Sequence, residues 1–164
     1  WRVTLIDTGD STQTGGRLQR VRAHLKNDEP FCFTYGDGVG NIDIAASIDF
    51  HRQQRVLATV TAVTPPGRFG ALELAADRVL AFQEKPAGDG AWINGGFFVL
   101  DPGVLDLIDG DSCMWESGPV AELSRSGQLA AWRHPGFWHA MDTLRDRNHL
   151  EQLWASGNAP WKTW

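Results

Sequence analysis

The sequence predicts an α/β fold built on a mostly parallel, mixed sheet with helices covering both of its faces. Three observations predict it. Short apolar or β-branched runs alternate with segments of helical spacing along the chain. Glycine and proline clusters close these runs in turns. The length of 164 residues, with 42% hydrophobic and 21% charged, suits one domain, residues 1–164, with a core of its own.

Val3–Ile6 reads as a strand that Asp7-Thr8-Gly9 ends, and Gly15-Gly16 opens a helix carrying Leu18, Val21 and Leu25. Phe31–Tyr35 is a buried strand stopped by Gly36-Asp37-Gly38. Asp43 is placed to cap a helix through about Arg52, with Ile44 and Ile48 on one face. Leu57–Val63, rich in β-branched residues, is a further buried strand. Pro65-Pro66-Gly67 opens a loop, and shorter strands follow at Ala71–Leu74 and Arg78–Gln83. Beyond the Gly88-Asp89-Gly90 link, Phe97–Leu100 is strand-like, and Pro102 and Gly103 lead into a short helix ending near Gly110. Pro119 suits the first turn of a helix that stops at Gly127, and Leu129–Trp132 suits a strand. A last helix over 143–155 carries Leu144, Leu150, Leu153 and Trp154 and closes at Gly157.

Bulk properties narrow the function. A formal net charge of −5 argues against a nucleic-acid partner, which would need a strongly basic face, but leaves room for a small polyanion held by a few cations. The two cysteines, Cys32 and Cys113, form neither a disulfide framework nor a zinc set, and are expected as reduced, buried thiols of a cytoplasmic protein. No apolar run approaches the roughly 20 residues of a membrane span. Four of the eight tryptophans follow residue 135 and are expected as core or interface anchors. The first residue, Trp1, stands just before a strand pattern already in stride, which suggests an upstream segment that has been lost or replaced.

Chemistry in open α/β sheets gathers at strand ends. Two such turns hold an aspartate, Asp37 in Tyr35-Gly-Asp-Gly-Val39 and Asp142 in Met141-Asp-Thr143. A carboxylate on each of two strand ends can share a hard divalent cation; either alone reads first as a turn or cap residue. In Glu84-Lys85-Pro86 the lysine can neutralise a phosphate and the glutamate accept from sugar hydroxyls, or the two can be a solvated charge pair. Trp92-Ile-Asn94-Gly-Gly96 puts a flat ring and an amide beside two glycines, either for a ligand or for a bend. Thr14-Gly15-Gly16-Arg17 sits at a helix start, where free N–H groups favour polar or anionic ligands, and it is not a Walker loop. The five histidines fall at no metal-ligand spacing and read as surface residues or satisfied hydrogen-bonding groups.

In this order the motifs resemble one family. They are Val3-Thr-Leu-Ile-Asp-Thr-Gly9, Thr14-Gly-Gly-Arg-Leu18, Thr34-Tyr-Gly-Asp-Gly-Val39, Ala58–Val63 with Pro65-Pro-Gly-Arg-Phe-Gly70, Glu84-Lys-Pro86, Trp92-Ile-Asn-Gly-Gly-Phe-Phe98, Gly136-Phe-Trp138 and Met141-Asp-Thr-Leu-Arg145. Together they look like the glucose-1-phosphate cytidylyltransferases, over nearly the whole chain. That resemblance implies a partial Rossmann-like nucleotidyltransferase fold. It also implies Mg²⁺ on Asp37 and Asp142, and Lys85 on the sugar phosphate. Glu84, Asn94 and Gly70 would lie along the sugar, and Gly15, Gly16 and Arg17 near the cytosine and ribose. The implied ligands are CTP with glucose 1-phosphate, or CDP-glucose. Family members begin with a strand and a glycine-rich loop that embraces the triphosphate, and the 164 residues contain no such loop. Three expectations follow: weak or absent catalysis by the chain alone, open sheet edges, and a homo-oligomer. The alternative is a non-catalytic oligomeric module that keeps the fold.

Overall fold

The computed structural model describes residues 2–25, 29–65, 71–83 and 92–164. Among the described residues eight strands form: β1 (Phe31–Thr34), β2 (Gly38–Gly40), β3 (Ala58–Val63), β4 (Ala71–Ala75), β5 (Arg78–Gln83), β6 (Ile93–Leu100), β7 (Leu129–His134) and β8 (Trp138–Ala140). Four α-helices accompany them: α1 (Thr14–Arg20), α2 (Ile44–Gln54), α3 (Pro119–Arg125) and α4 (Leu144–Ala155). Pro102–Leu107 forms a 3₁₀ helix.

The main sheet has the order β1-β6-β3-β7. Its directions follow from hydrogen bonds at the strand ends. Asp101 N–H donates to the Leu57 carbonyl at 2.9 Å, so the end of β6 meets the start of β3 and the two run antiparallel. Ala58 N–H donates to the Gln128 carbonyl at 3.0 Å, so β3 and β7 start together and run parallel. Tyr35 N–H reaches the Gly96 carbonyl at 3.2 Å while Phe33 faces Phe98, which sets β1 against β6. Three strands therefore share one direction and β6 opposes them, a mixed α/β sheet flanked by helices. β3 is buried at five of its six positions, as its unbroken Ala-Thr-Val-Thr-Ala-Val run predicts for a strand covered on both faces.

The chain divides into two compact units. The first comprises residues 1–33, 45–60 and 98–131. Its core gathers Leu18, Ala58, Phe98, Leu100, Leu105, Trp115 and Leu123, among others. Phe33, Phe98 and Trp115 meet with centroids 5.8 to 5.9 Å apart, and the tryptophan stands edge-on to both phenylalanines. Such pairs add about 0.5–1.5 kcal/mol each beyond the area they bury. The second unit comprises residues 34–44, 61–97 and 132–164. It holds the antiparallel β2/β8 ribbon, the β4/β5 hairpin and α4. Leu150 of α4 and Ala159 are buried there, and Phe137 stacks on Trp161 at 5.5 Å.

Three expectations need correction. Val3–Ile6 forms no strand: Val3 is 72% and Leu5 92% exposed, because none of the described strands lies alongside to pair with this β-prone run. Cys32 is exposed rather than buried, since β1 turns only Phe31 and Phe33 inward; neither cysteine is bonded to the other. On α4, Leu144 and Trp154 are exposed, and the buried side chains are Asp146 and Leu150. The remaining predicted elements form within a few residues of their expected ends.

Candidate active site

Asp37 and Asp142 lie far apart in sequence and come together on the β2/β8 ribbon. The register pairs Gly38 with Ala140, Val39 with His139 and Gly40 with Trp138. The ladder extends one step further, where Met141 N–H donates to the Asp37 carbonyl at 2.8 Å. Asp37 therefore stands opposite the residue that precedes Asp142, and both aspartates are exposed. Two hard oxygen donors one step apart on adjacent strands fit a divalent cation that takes its other ligands from phosphates and water. Among the described residues no set of three His, Cys, Asp or Glu side chains is arranged to hold a metal.

Asn94 belongs to the same unit and is tied to the same loop. Its side-chain amide donates to the Tyr35 hydroxyl at 3.1 Å, and its carbonyl oxygen accepts from Gly96 N–H at 2.8 Å. Gly96 takes a φ of +75°, and a Cβ there would lie 3.0 Å from the Tyr35 ring, so both conformation and space require glycine. Trp138 Nε1 donates to the Gly95 carbonyl at 2.8 Å, which fastens β8 to β6. A continuous path thus runs from Asn94 through Tyr35 to Asp37.

The turn that carries Asp142 is fixed from its far side. Thr143 is the N-cap of α4, and Thr143 and Asp146 form a reciprocal capping box. The Thr143-x-x-Asp146 spacing is visible in the sequence as the signature of such a box, but that pattern is absent from the expectations above. Tyr35 and Asp146 are thus the residues of this region that sequence reasoning misses.

Gly15, Gly16 and Arg17 lie in the other unit, and their surroundings are protein. A Cβ on Gly15 would stand 2.8 Å from the Cys113 carbonyl oxygen, and one on Gly16 would stand 2.7 Å from Asp111 Cα. The N–H groups of both glycines donate to the Cys113 carbonyl at 3.0 and 3.3 Å. The expected free donors at this helix start are therefore already used. Arg17 donates to Thr8 Oγ1 at 2.7 Å and to the Asp10 carbonyl at 3.2 Å. Arg20 donates to both Asp111 oxygens and to the Thr8 carbonyl. The charge-assisted bonds from Arg20 hold the Asp111 carboxyl below the usual carboxylate range and raise the guanidinium in turn. Gly70, Glu84 and Lys85 lie outside the described residues. Of the histidines, His51 is buried with its ring nitrogens 2.9 Å from Thr59 Oγ1 and 3.5 Å from Asp101 Oδ1. No helix among the described residues is long and apolar enough to cross a membrane.

The family model described as nucleotidyl transferase matches residues 9–119. The chain is 62% identical to the glucose-1-phosphate cytidylyltransferase of Salmonella typhimurium over 164 residues, which is all of this chain and 64% of that protein. It is 39% identical over 165 residues to the probable glucose-1-phosphate cytidylyltransferase of Bacillus subtilis, again over 64% of that protein. The chain thus spans less than two thirds of the length of the curated relatives it matches. Among solved structures, the putative glucose-1-phosphate thymidylyltransferase from Bacillus anthracis superposes with a TM-score of 0.65 at 17% identity, covering 95% of this chain and 65% of that one. At that identity the likeness speaks for the fold.

Proposed function

The chain belongs to the nucleotidyl transferase family, and on that premise we propose that it is a glucose-1-phosphate cytidylyltransferase polypeptide, with CTP, glucose 1-phosphate and CDP-glucose as its ligands. The observation that carries this is the β2/β8 ribbon, which unites the two aspartates whose motifs carry the resemblance.

Asp37 and Asp142 hold Mg²⁺, whose charge offsets that of the phosphates when it is bound. Asn94 lines the sugar, with its amide set by Tyr35 and Gly96. Glu84, Lys85 and Gly70 are assigned by their motifs, with Lys85 on the sugar phosphate. Gly15, Gly16 and Arg17 lie near the cytosine and ribose, and the two glycines let α1 sit close against residues 111–113. A phosphate oxygen of glucose 1-phosphate forms a bond to the α-phosphorus of CTP, and the bond from that phosphorus to the bridging oxygen of pyrophosphate breaks. The nucleophile is already ionised, since the second pKa of a phosphate monoester is about 6. No side chain needs to take a proton, and catalysis is positioning and charge stabilisation.

The 164 residues contain no glycine-rich triphosphate loop. Loss of one preorganised donor costs about 10²–10³ in rate, so the chain by itself is a weak catalyst or none. It works in the cytoplasm, in keeping with two unpaired cysteines. It self-associates, in keeping with apolar side chains at the surface such as Leu5, Leu144 and Trp164. CDP-glucose formation, assayed with CTP, UTP and dTTP against glucose and mannose 1-phosphates, tests the substrates. The chain alone should give little turnover with any of them, and adding the N-terminal segment of a relative should raise it with CTP and glucose 1-phosphate first. Preference for another nucleotide would refute the cytidylyl assignment.

A further inference from the structure

Asp146 is nearly buried, at 9% exposure, yet it is a carboxylate. A carboxyl group at that depth needs polar partners, and both Asp146 oxygens have them. Oδ2 accepts from Thr143 N–H at 3.0 Å and from the Thr143 hydroxyl at 2.8 Å. Oδ1 lies 3.2 Å from His139 Nε2. Asp146 N–H donates back to Thr143 Oγ1 at 3.2 Å. A capping box accounts for the contacts to Thr143. It does not account for His139, which sits on β8 before Asp142 while Thr143 follows it. One carboxylate therefore grips the chain on both sides of Asp142.

From this geometry we propose that Asp146, bridged to His139 and Thr143, is a positioning residue that aims the Asp142 carboxylate at the divalent cation. The proposal rests on the reading that Asp142 binds that cation. The Asp142 turn joins the end of β8 to the start of α4, and each end is anchored to the same side chain. Met141 N–H, bonded to the Asp37 carbonyl, fixes the turn toward the other aspartate. A ligand on a turn held at three points loses little freedom on binding, and removing such supports typically costs about 10–100-fold in metal affinity. The ring of His149 lies 5.2 Å from that of His139.

The test is titration of the full chain with Mn²⁺ alone, followed by electron paramagnetic resonance of free Mn²⁺, alongside thermal unfolding of each variant. Asp142→Asn should abolish binding; if the wild-type chain binds no Mn²⁺, or Asp142→Asn binds it unchanged, the cation reading itself fails and the proposal with it. Asp146→Asn should weaken Mn²⁺ at least roughly tenfold. His139→Gln removes only the bridge to β8 and should weaken it in the same direction, which decides the matter if Asp146→Asn does not fold. Thr143→Ser should retain the affinity that Thr143→Val loses. Leu150→Ala loosens buried packing of α4 and removes none of the bridge's hydrogen-bonding groups, so it should lower the melting temperature and leave Mn²⁺ affinity unchanged. If Asp142→Asn abolishes binding while Asp146→Asn and His139→Gln leave it intact, or if Leu150→Ala weakens it equally, Asp146 is a helix cap and no more.

Discussion

A carboxylate that binds a cation well is aimed before the cation arrives, and on the proposed reading the β2/β8 backbone and the Asp146 side chain together supply that aim. The ladder hydrogen bond from Met141 N–H to the Asp37 carbonyl sets the two aspartates side by side. Each aspartate was legible in the sequence as a turn residue, but their proximity was not, because it depends on a ribbon of two three-residue strands too short for any periodicity to announce. The glycines of α1 show the reverse. Their motif reads as a ligand loop, and the structure surrounds them with the backbone of residues 111–115. Gly16→Ala should therefore lower stability by about 1–3 kcal/mol, as overpacking against backbone does. A urea midpoint that does not move would show that residues 111–113 give way.

At the scale of elements, the strands and helices that carry a strong pattern form where that pattern stands. β3 follows its β-branched run, and α4 stops before Gly157, which adopts a φ of +74°. Val3–Ile6 has the residues of a strand without a described neighbour to pair with, and pairing is a property of two segments that one segment's sequence does not contain. The capping box at the start of α4 is worth about 1 kcal/mol by its hydroxyl, so Thr143→Ala should cost that much in chemical denaturation. The Arg20–Asp111 pair joins α1 to the loop after the 3₁₀ helix. Because the folded state lowers the Asp111 pKa, the pair stabilises the fold above the ordinary carboxylate pKa, and that contribution disappears as pH falls through the lowered value. Wild type and Asp111→Asn should differ in melting temperature near neutral pH and converge in strong acid. Both side chains are well exposed, so added salt should narrow the gap as well.

For the whole molecule, the family is carried by many short motifs in order, and the full-length relatives extend well beyond what this chain covers. Composition excluded little more than nonspecific nucleic-acid binding, since a net charge of −5 is shared by proteins of every fold. On the proposed function, these 164 residues carry the metal and sugar portions of a cytidylyltransferase site, as distinct from its triphosphate portion. Product binding separates those two portions, because CDP-glucose carries a diphosphate and a sugar but no leaving group. The most direct measurement is calorimetric titration of the purified chain with CDP-glucose, with and without Mg²⁺, in wild type and Asp142→Ala. Binding that requires Mg²⁺ and weakens in Asp142→Ala is the predicted result. Heat indistinguishable from dilution under both conditions would contradict it, and would mean that the fold is present without its site.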